Sequence, residues 1–117
     1  MRAEAQAHVD TINDALALLR RFLDWDRALR RLDELNARVE DQALWSDPKA
    51  AQEVMRERRR LDEAISATRA IESELADTSE LIEMAEAEGD TAMEADGVAA
   101  LADLAARIGR ASCRERV

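Results

Sequence analysis

Downstream of Pro48, the single proline of the chain, small and apolar residues return in steps of three and four or their sum: Ala51, Val54, Leu61, Ile65, Thr68 and Leu75. No glycine or proline interrupts this stretch as far as Ala76. A period of that kind marks a helix with one buried stripe and one wet face. Arg58 intrudes at one position of the stripe. A helix this long and this charged is marginal on its own, so it needs other helices alongside it. The spacing therefore predicts a helix from Pro48 to about Ala76 that organises the rest of the chain.

Two shorter helices are expected before it. Val9, Ile12, Leu16, Leu19 and Leu23 form one stripe, giving a first helix from about Glu4 to Phe22. Asp24 is placed to cap a second helix that buries Leu29, Leu32, Leu35 and Val39 and runs out at Glu40–Asp41. A short link through Leu44 and Trp45 then reaches Ser46-Asp47-Pro48. There the carboxylate caps free N–H groups, and proline at the first helical position lacks the N–H that would go unpaired. After Ala76, Asp77-Thr78-Ser79-Glu80 reads as a new start, with Leu81, Ile82, Met84 and Ala85 as a short apolar face before Gly89. Asp90-Thr91 repeats the capping pattern ahead of Val98, Leu101, Leu104 and Ala105, with Gly97 weakening the start of that last helix. Abundant Ala, Leu, Glu and Arg, with strand formers scarce, argue for an almost wholly helical chain. The expected fold is all-α: an antiparallel helical bundle with one long central helix and short C-terminal helices.

The net charge of −9 is uneven. Residues 1–69 hold 13 basic and 14 acidic side chains, whereas residues 70–107 hold 11 acidic groups and only Arg107. The acidic half should repel phosphate backbones, which are bound by neutralisation with Lys and Arg. The basic cluster Arg56, Arg58, Arg59 and Arg60 is bracketed by Glu53, Glu57, Asp62 and Glu63. It is expected to form a solvated, salt-bridged face, with an RNA or protein contact as the alternative. The acidic run Glu72 to Asp96 reads as solvated, or else as a complement to a basic protein surface.

Residues that carry chemistry are scarce. His8 is the sole histidine and Cys113 the sole cysteine, so a conventional zinc site has no ligand set and no disulfide closes within one chain. Glu-x-x-His pairs for a di-metal bundle, glycine-rich phosphate loops and GxSxG elbows do not occur. A chain of 117 residues supports a modest core and no deep cavity. The expectation is a non-enzyme with no catalytic, cofactor-binding or metal residues, no cofactor and no small-molecule ligand. Trp25 and Trp45 are expected to pack over the two helix junctions, with exposed partner anchors as the alternative. Met55, Met84 and Met93 are expected to fill gaps in the core. No run of about 18 apolar residues suggests a membrane span, and the polar N-terminus does not read as a secretory signal, so the cytoplasm is expected.

The order of pieces from Leu18 to Pro48, LLRRFLDWDRALRRLDELNARVEDQALWSDP, resembles the N-terminal domain of the bacterial release factor 2 family. The resemblance extends from about Ile12 to about Arg107, and its most specific part is LDWD followed about twenty residues later by LWSDP. Release factor 1 shares the plan, and that pair of motifs is what favours factor 2. The resemblance implies a helical bundle tethered, in the intact protein, to domains that direct termination at UAA and UGA on the ribosome. Possible partners of the helical domain would be a ribosomal protein or RNA. The family's Ser-Pro-Phe tripeptide and Gly-Gly-Gln loop occur nowhere in this sequence, so no functional residue carries over. The chain is thus expected to be an N-terminal fragment, with a stand-alone acidic helical adaptor or scaffold as the alternative. Residues 1–107 make up the expected domain. Residues 108–117, IGRASCRERV, look like the translation of a sequencing-adapter read and are expected to be a non-native or disordered tail.

Overall fold

The computed structural model describes the backbone of residues 1–115 and the side chains of residues 1–109. Within these limits the chain is all-α: α1 (Ala3–Leu23), α2 (Trp25–Val39), α3 (Gln42–Trp45), α4 (Pro48–Glu88) and α5 (Thr91–Glu115). No strand is found among the described residues. The helices sort into two compact units. One is Arg20–Thr68; the other combines Met1–Leu19 with the chain from Arg69 onward.

In the Arg20–Thr68 unit, the start of α2 differs from the expectation. Asp24 adopts a left-handed backbone (φ 53°) and its side chain makes no capping hydrogen bond. Its N–H donates to Arg21 O (3.2 Å) and its own carbonyl accepts from Ala28 N (2.8 Å). Aspartate tolerates this conformation better than most residues, so the residue turns the chain instead of capping it. The link to α4 is itself one helical turn, α3, capped by Asp41 through Ala43 N–H (3.0 Å). Asp47 then caps α4 at Ala50 N–H (3.3 Å), with Pro48 as the first helical residue. The chain so turned packs Leu35 of α2 and Leu44 of α3 against Ala51 and Val54 of α4. Arg58, the intruder in the apolar stripe, stays half-buried because its Nε donates to Asn36 Oδ1 (2.6 Å) on α2.

In the other unit, Ala5, Ile12 and Leu16 of α1 share a core with Ile82 of α4 and with Leu101, Leu104 and Ile108 of α5. Gly97 of α5 lies against Ile82, while Arg107 reaches back to Glu74, so α5 runs antiparallel to α4. Here α4 departs from the expected end at Ala76. It continues without a break to Glu88, and Asp77, Thr78 and Ser79 are interior helical residues. The reason is phase: Ile71, Leu75, Thr78, Ile82 and Ala85 keep the same three/four stepping, and an unbroken stripe outweighs propensity costs of a few tenths of a kcal/mol per residue. Of the apolar face expected after Ala76, Ile82 and Ala85 are buried, while Leu81 and Met84 are exposed.

α4 stops at Gly89, whose φ of 71° suits a residue without Cβ. Gly89 N–H donates to Glu86 O (3.2 Å) and Asp90 N–H to Ala85 O (2.9 Å), the paired bonds of a Schellman motif. Asp90 then accepts from Met93 N–H (3.0 Å) and caps α5, as expected. Instead of short C-terminal helices there is a single α5 of 25 residues. The domain boundary expected after Arg107 falls inside it. Ile108 is 1% exposed in the core, and the helical backbone passes Gly109 to Glu115. The side chain of Cys113 lies outside the described residues.

Candidate interaction surface

The charged side chains separate into those that hold the fold and those left over. Arg31 on α2 grips Glu57 on α4 with two bonds, Nε to Oε2 (2.6 Å) and Nη2 to Oε1 (2.9 Å), and also donates through Nη1 to Glu34 (3.1 Å). A planar guanidinium meeting a carboxylate in this two-pronged way is geometrically selective. These hydrogen bonds from Arg31 hold the Glu57 carboxyl below its ordinary value of 4.5, and Glu57 in turn raises the guanidinium of Arg31. Arg107 is likewise raised, first by its bond to Glu74 (2.5 Å), with Asp103 (2.9 Å) adding to it.

The acidic run is not simply a solvated face. Glu74 pairs with Arg107, Glu86 with the N-terminal ammonium (3.1 Å), and buried Glu94 with Arg2 (2.9 Å), the last an ion pair without an aligned hydrogen bond at Glu94 Oε1. The expected salt-bridged face around Arg56–Arg60 does not form as such either. Glu57 turns to Arg31 and Arg58 to Asn36, whereas Arg56 and Arg59 are exposed and make no ion pair among the described residues.

Beside those two arginines lies an open groove of about 570 Å³, floored by Trp45, Pro48, Ala51 and Met55. Trp45 is 54% exposed, yet its indole Nε1–H donates to Val39 O (3.0 Å), which pins the ring. It therefore ties the α2–α3 junction by a hydrogen bond while presenting its face to solvent. Trp25 behaves differently: it is half-buried at the first position of α2, and the Arg20 guanidinium carbon sits 5.4 Å from its ring centroid, within cation–π range. Met55 and Met93 are half-buried, but Met84 is 54% exposed and fills no core gap. The groove was not anticipated. Its signal was a second set of helical steps on α4, Pro48, Gln52, Met55 and Arg59, beside the stripe that forms the core.

His8 is half-buried on α1. Among the described residues, no group of three or more His, Cys, Asp or Glu side chains is arranged to hold a metal ion, and no helix is long and apolar enough to cross a membrane.

The family follows from comparison. Residues 28–115 match the PCRF domain model, and the chain belongs to the PCRF domain family. It is similar to the N-terminal region of peptide chain release factor 2 from Paramagnetospirillum magneticum, with 52% identity over 111 residues. Identity with peptide chain release factor 2 is 46% over 101 residues for Roseobacter denitrificans and 51% over 88 residues for a Caulobacter species. These alignments cover 92%, 86% and 75% of this chain but only 30%, 27% and 24% of the relatives. The chain thus spans less than a third of the length of the curated relatives it matches. All three are named as factor 2, as the pairing of LDWD with LWSDP implies.

Proposed function

We propose that this chain is the N-terminal helical domain of a factor-2-type peptide chain release factor, working on the ribosome as part of a longer protein that ends translation at UAA and UGA. The observation that carries this reading is about 50% identity with release factor 2 across most of the chain, confined to less than a third of each relative. On this reading residues 1–107 form the helical domain, and Ile108, one residue past that bound, packs in the same cluster as Ile82 and Leu104. Its contribution is positional, through contacts with a ribosomal protein or RNA, and its place is the cytoplasm, where ribosomes work.

Peptide release is assigned to the remainder of such a protein. The sequence has neither the Ser-Pro-Phe tripeptide nor a Gly-Gly-Gln loop, and general acid–base work needs groups held within hydrogen-bond reach of the reacting atoms. The test is peptidyl-tRNA hydrolysis on ribosomes halted at UAA or UGA, with the full-length Paramagnetospirillum factor as positive control. The chain alone is expected to release no peptide. Stop-codon-dependent release by these 117 residues would overturn the assignment.

A further inference from the structure

We propose that the groove beside Trp45 is a docking site for an acidic protein segment that presents one bulky apolar side chain. The inference goes beyond the reading of the chain as part of a termination factor and does not depend on it.

Three observations carry it. Trp45 is a large apolar surface already fixed by its bond to Val39 O (3.0 Å), so a ligand stacking on it loses little further freedom. The floor of Pro48, Ala51 and Met55 is apolar, and the unbranched thioether of Met55 adapts its shape to what it meets. Arg56 and Arg59 line the same groove with no ion pair among the described residues, whereas Arg31, Arg58 and Arg107 are each engaged within the fold. Tryptophan and arginine beside a small apolar patch are the residue types that dominate binding energy in protein interfaces once a partner excludes water from them.

Charge and shape together choose the occupant. Two unpaired arginines beside the groove call for carboxylates on the ligand and penalise a basic one. A nucleic-acid strand would need a track of cations and successive aromatic platforms. Here the groove holds one aromatic ring, Trp45, with Pro48, Ala51, Gln52 and Met55 beside it, and no second aromatic platform lines it. A groove of about 570 Å³ takes an apolar side chain with its immediate neighbours, not the face of a whole domain. The fitting ligand is therefore a short segment with Leu or Phe flanked by Asp and Glu.

The test uses the whole chain and four probes at low salt. They are a fluorescein-labelled Asp/Glu-rich peptide with a central Leu-Phe pair, its Lys-substituted counterpart, the acidic peptide with Ala-Ala in place of Leu-Phe, and a single-stranded oligouridylate. Anisotropy titration gives affinities, and the Trp45 indole N–H signal in a ¹⁵N correlation spectrum reports the location. The acidic Leu-Phe peptide is expected to bind saturably, to shift the Trp45 signal, and to bind at least about tenfold more tightly than the Lys or Ala-Ala peptides. Arg56→Glu combined with Arg59→Glu should weaken it by about tenfold or more while the far-UV circular dichroism stays that of the folded helical parent, because neither side chain makes an ion pair among the described residues. Absence of saturable binding, equal binding of the Lys peptide, or an unmoved Trp45 signal would each overturn the proposal. Tighter binding of oligouridylate, lost in the same double variant, would overturn it in favour of a nucleic-acid site.

Discussion

Gly97→Ala isolates the closest approach of α5 to α4. An added Cβ would lie 2.5 Å from Ile82 Cγ1, 3.3 Å from Cδ1 and 3.8 Å from Cβ. Ile82 is fully buried, and its Cγ1 is near the backbone, so it cannot swing aside into solvent. Two effects oppose each other. Alanine in a helix interior is favoured over glycine by about 1 kcal/mol, whereas forcing an extra carbon into a packed core costs about 1–3 kcal/mol. The expected net is destabilisation of up to about 2 kcal/mol. A double-mutant cycle separates the terms. Ile82→Ala alone should cost about 2–5 kcal/mol, and in that background Gly97→Ala should become stabilising by about 1 kcal/mol because the clash is gone. Urea unfolding of the four proteins at neutral pH gives the coupling. If Gly97→Ala stabilises the parent by the helix-propensity amount and the two changes simply add, the two helices do not meet at this glycine.

Other outcomes follow from burial and charge. Leu35→Ala, at a fully buried position, should cost about 2–5 kcal/mol, and Leu32→Ala, at a half-buried one, should cost clearly less; chemical denaturation of both compares them directly. Ile108→Ala should also cost about 2–5 kcal/mol, and a near-neutral unfolding midpoint would remove this residue from the core. The Glu57 carboxyl is depressed in the folded state, so the stabilisation from its pairing with Arg31 is fully present above pH 4.5 and is lost as pH falls through the lower folded value. The melting temperature of the parent should therefore exceed that of Glu57→Gln at neutral pH, with the gap closing in acid. A gap unchanged down to strongly acidic pH would show that the pair is not titrating as the geometry requires.

Much of the fold was legible because burial follows helical period. The stripe Ala51, Val54, Leu61, Ile65, Thr68 and Leu75 is buried or half-buried throughout, and both Asp47-Pro48 and Asp90-Thr91 start helices. The departures arise where longer-range structure outweighs a local signal. Asp77-Thr78-Ser79 carries a capping signature, but the apolar stepping crosses it unbroken, so the helix does too. Propensity makes Gly97 a weak point of α5, whereas in the fold it lets α5 approach Ile82 of α4. Asp24 is next to α2 as a cap would be, yet its left-handed backbone makes it a turn. Partner choice among charges was the least legible part. Sequence proximity suggested that Glu57 serves the neighbouring arginines of α4, while the fold gives it to Arg31, 26 residues earlier. The absence of ion pairs at Arg56 and Arg59 beside the Trp45 groove is likewise visible only in three dimensions.

A domain exchange addresses the assignment most directly. Residues 1–109 of this chain would replace the aligned N-terminal region of the Paramagnetospirillum release factor 2, and stop-codon-dependent peptide release would be measured on UAA- and UGA-programmed ribosomes. If the chain is the N-terminal domain of such a factor, the chimera should release peptide at both codons at a rate indistinguishable from the parent. A soluble, folded chimera without release activity, alongside an active chimera carrying the corresponding Roseobacter region, would contradict that assignment.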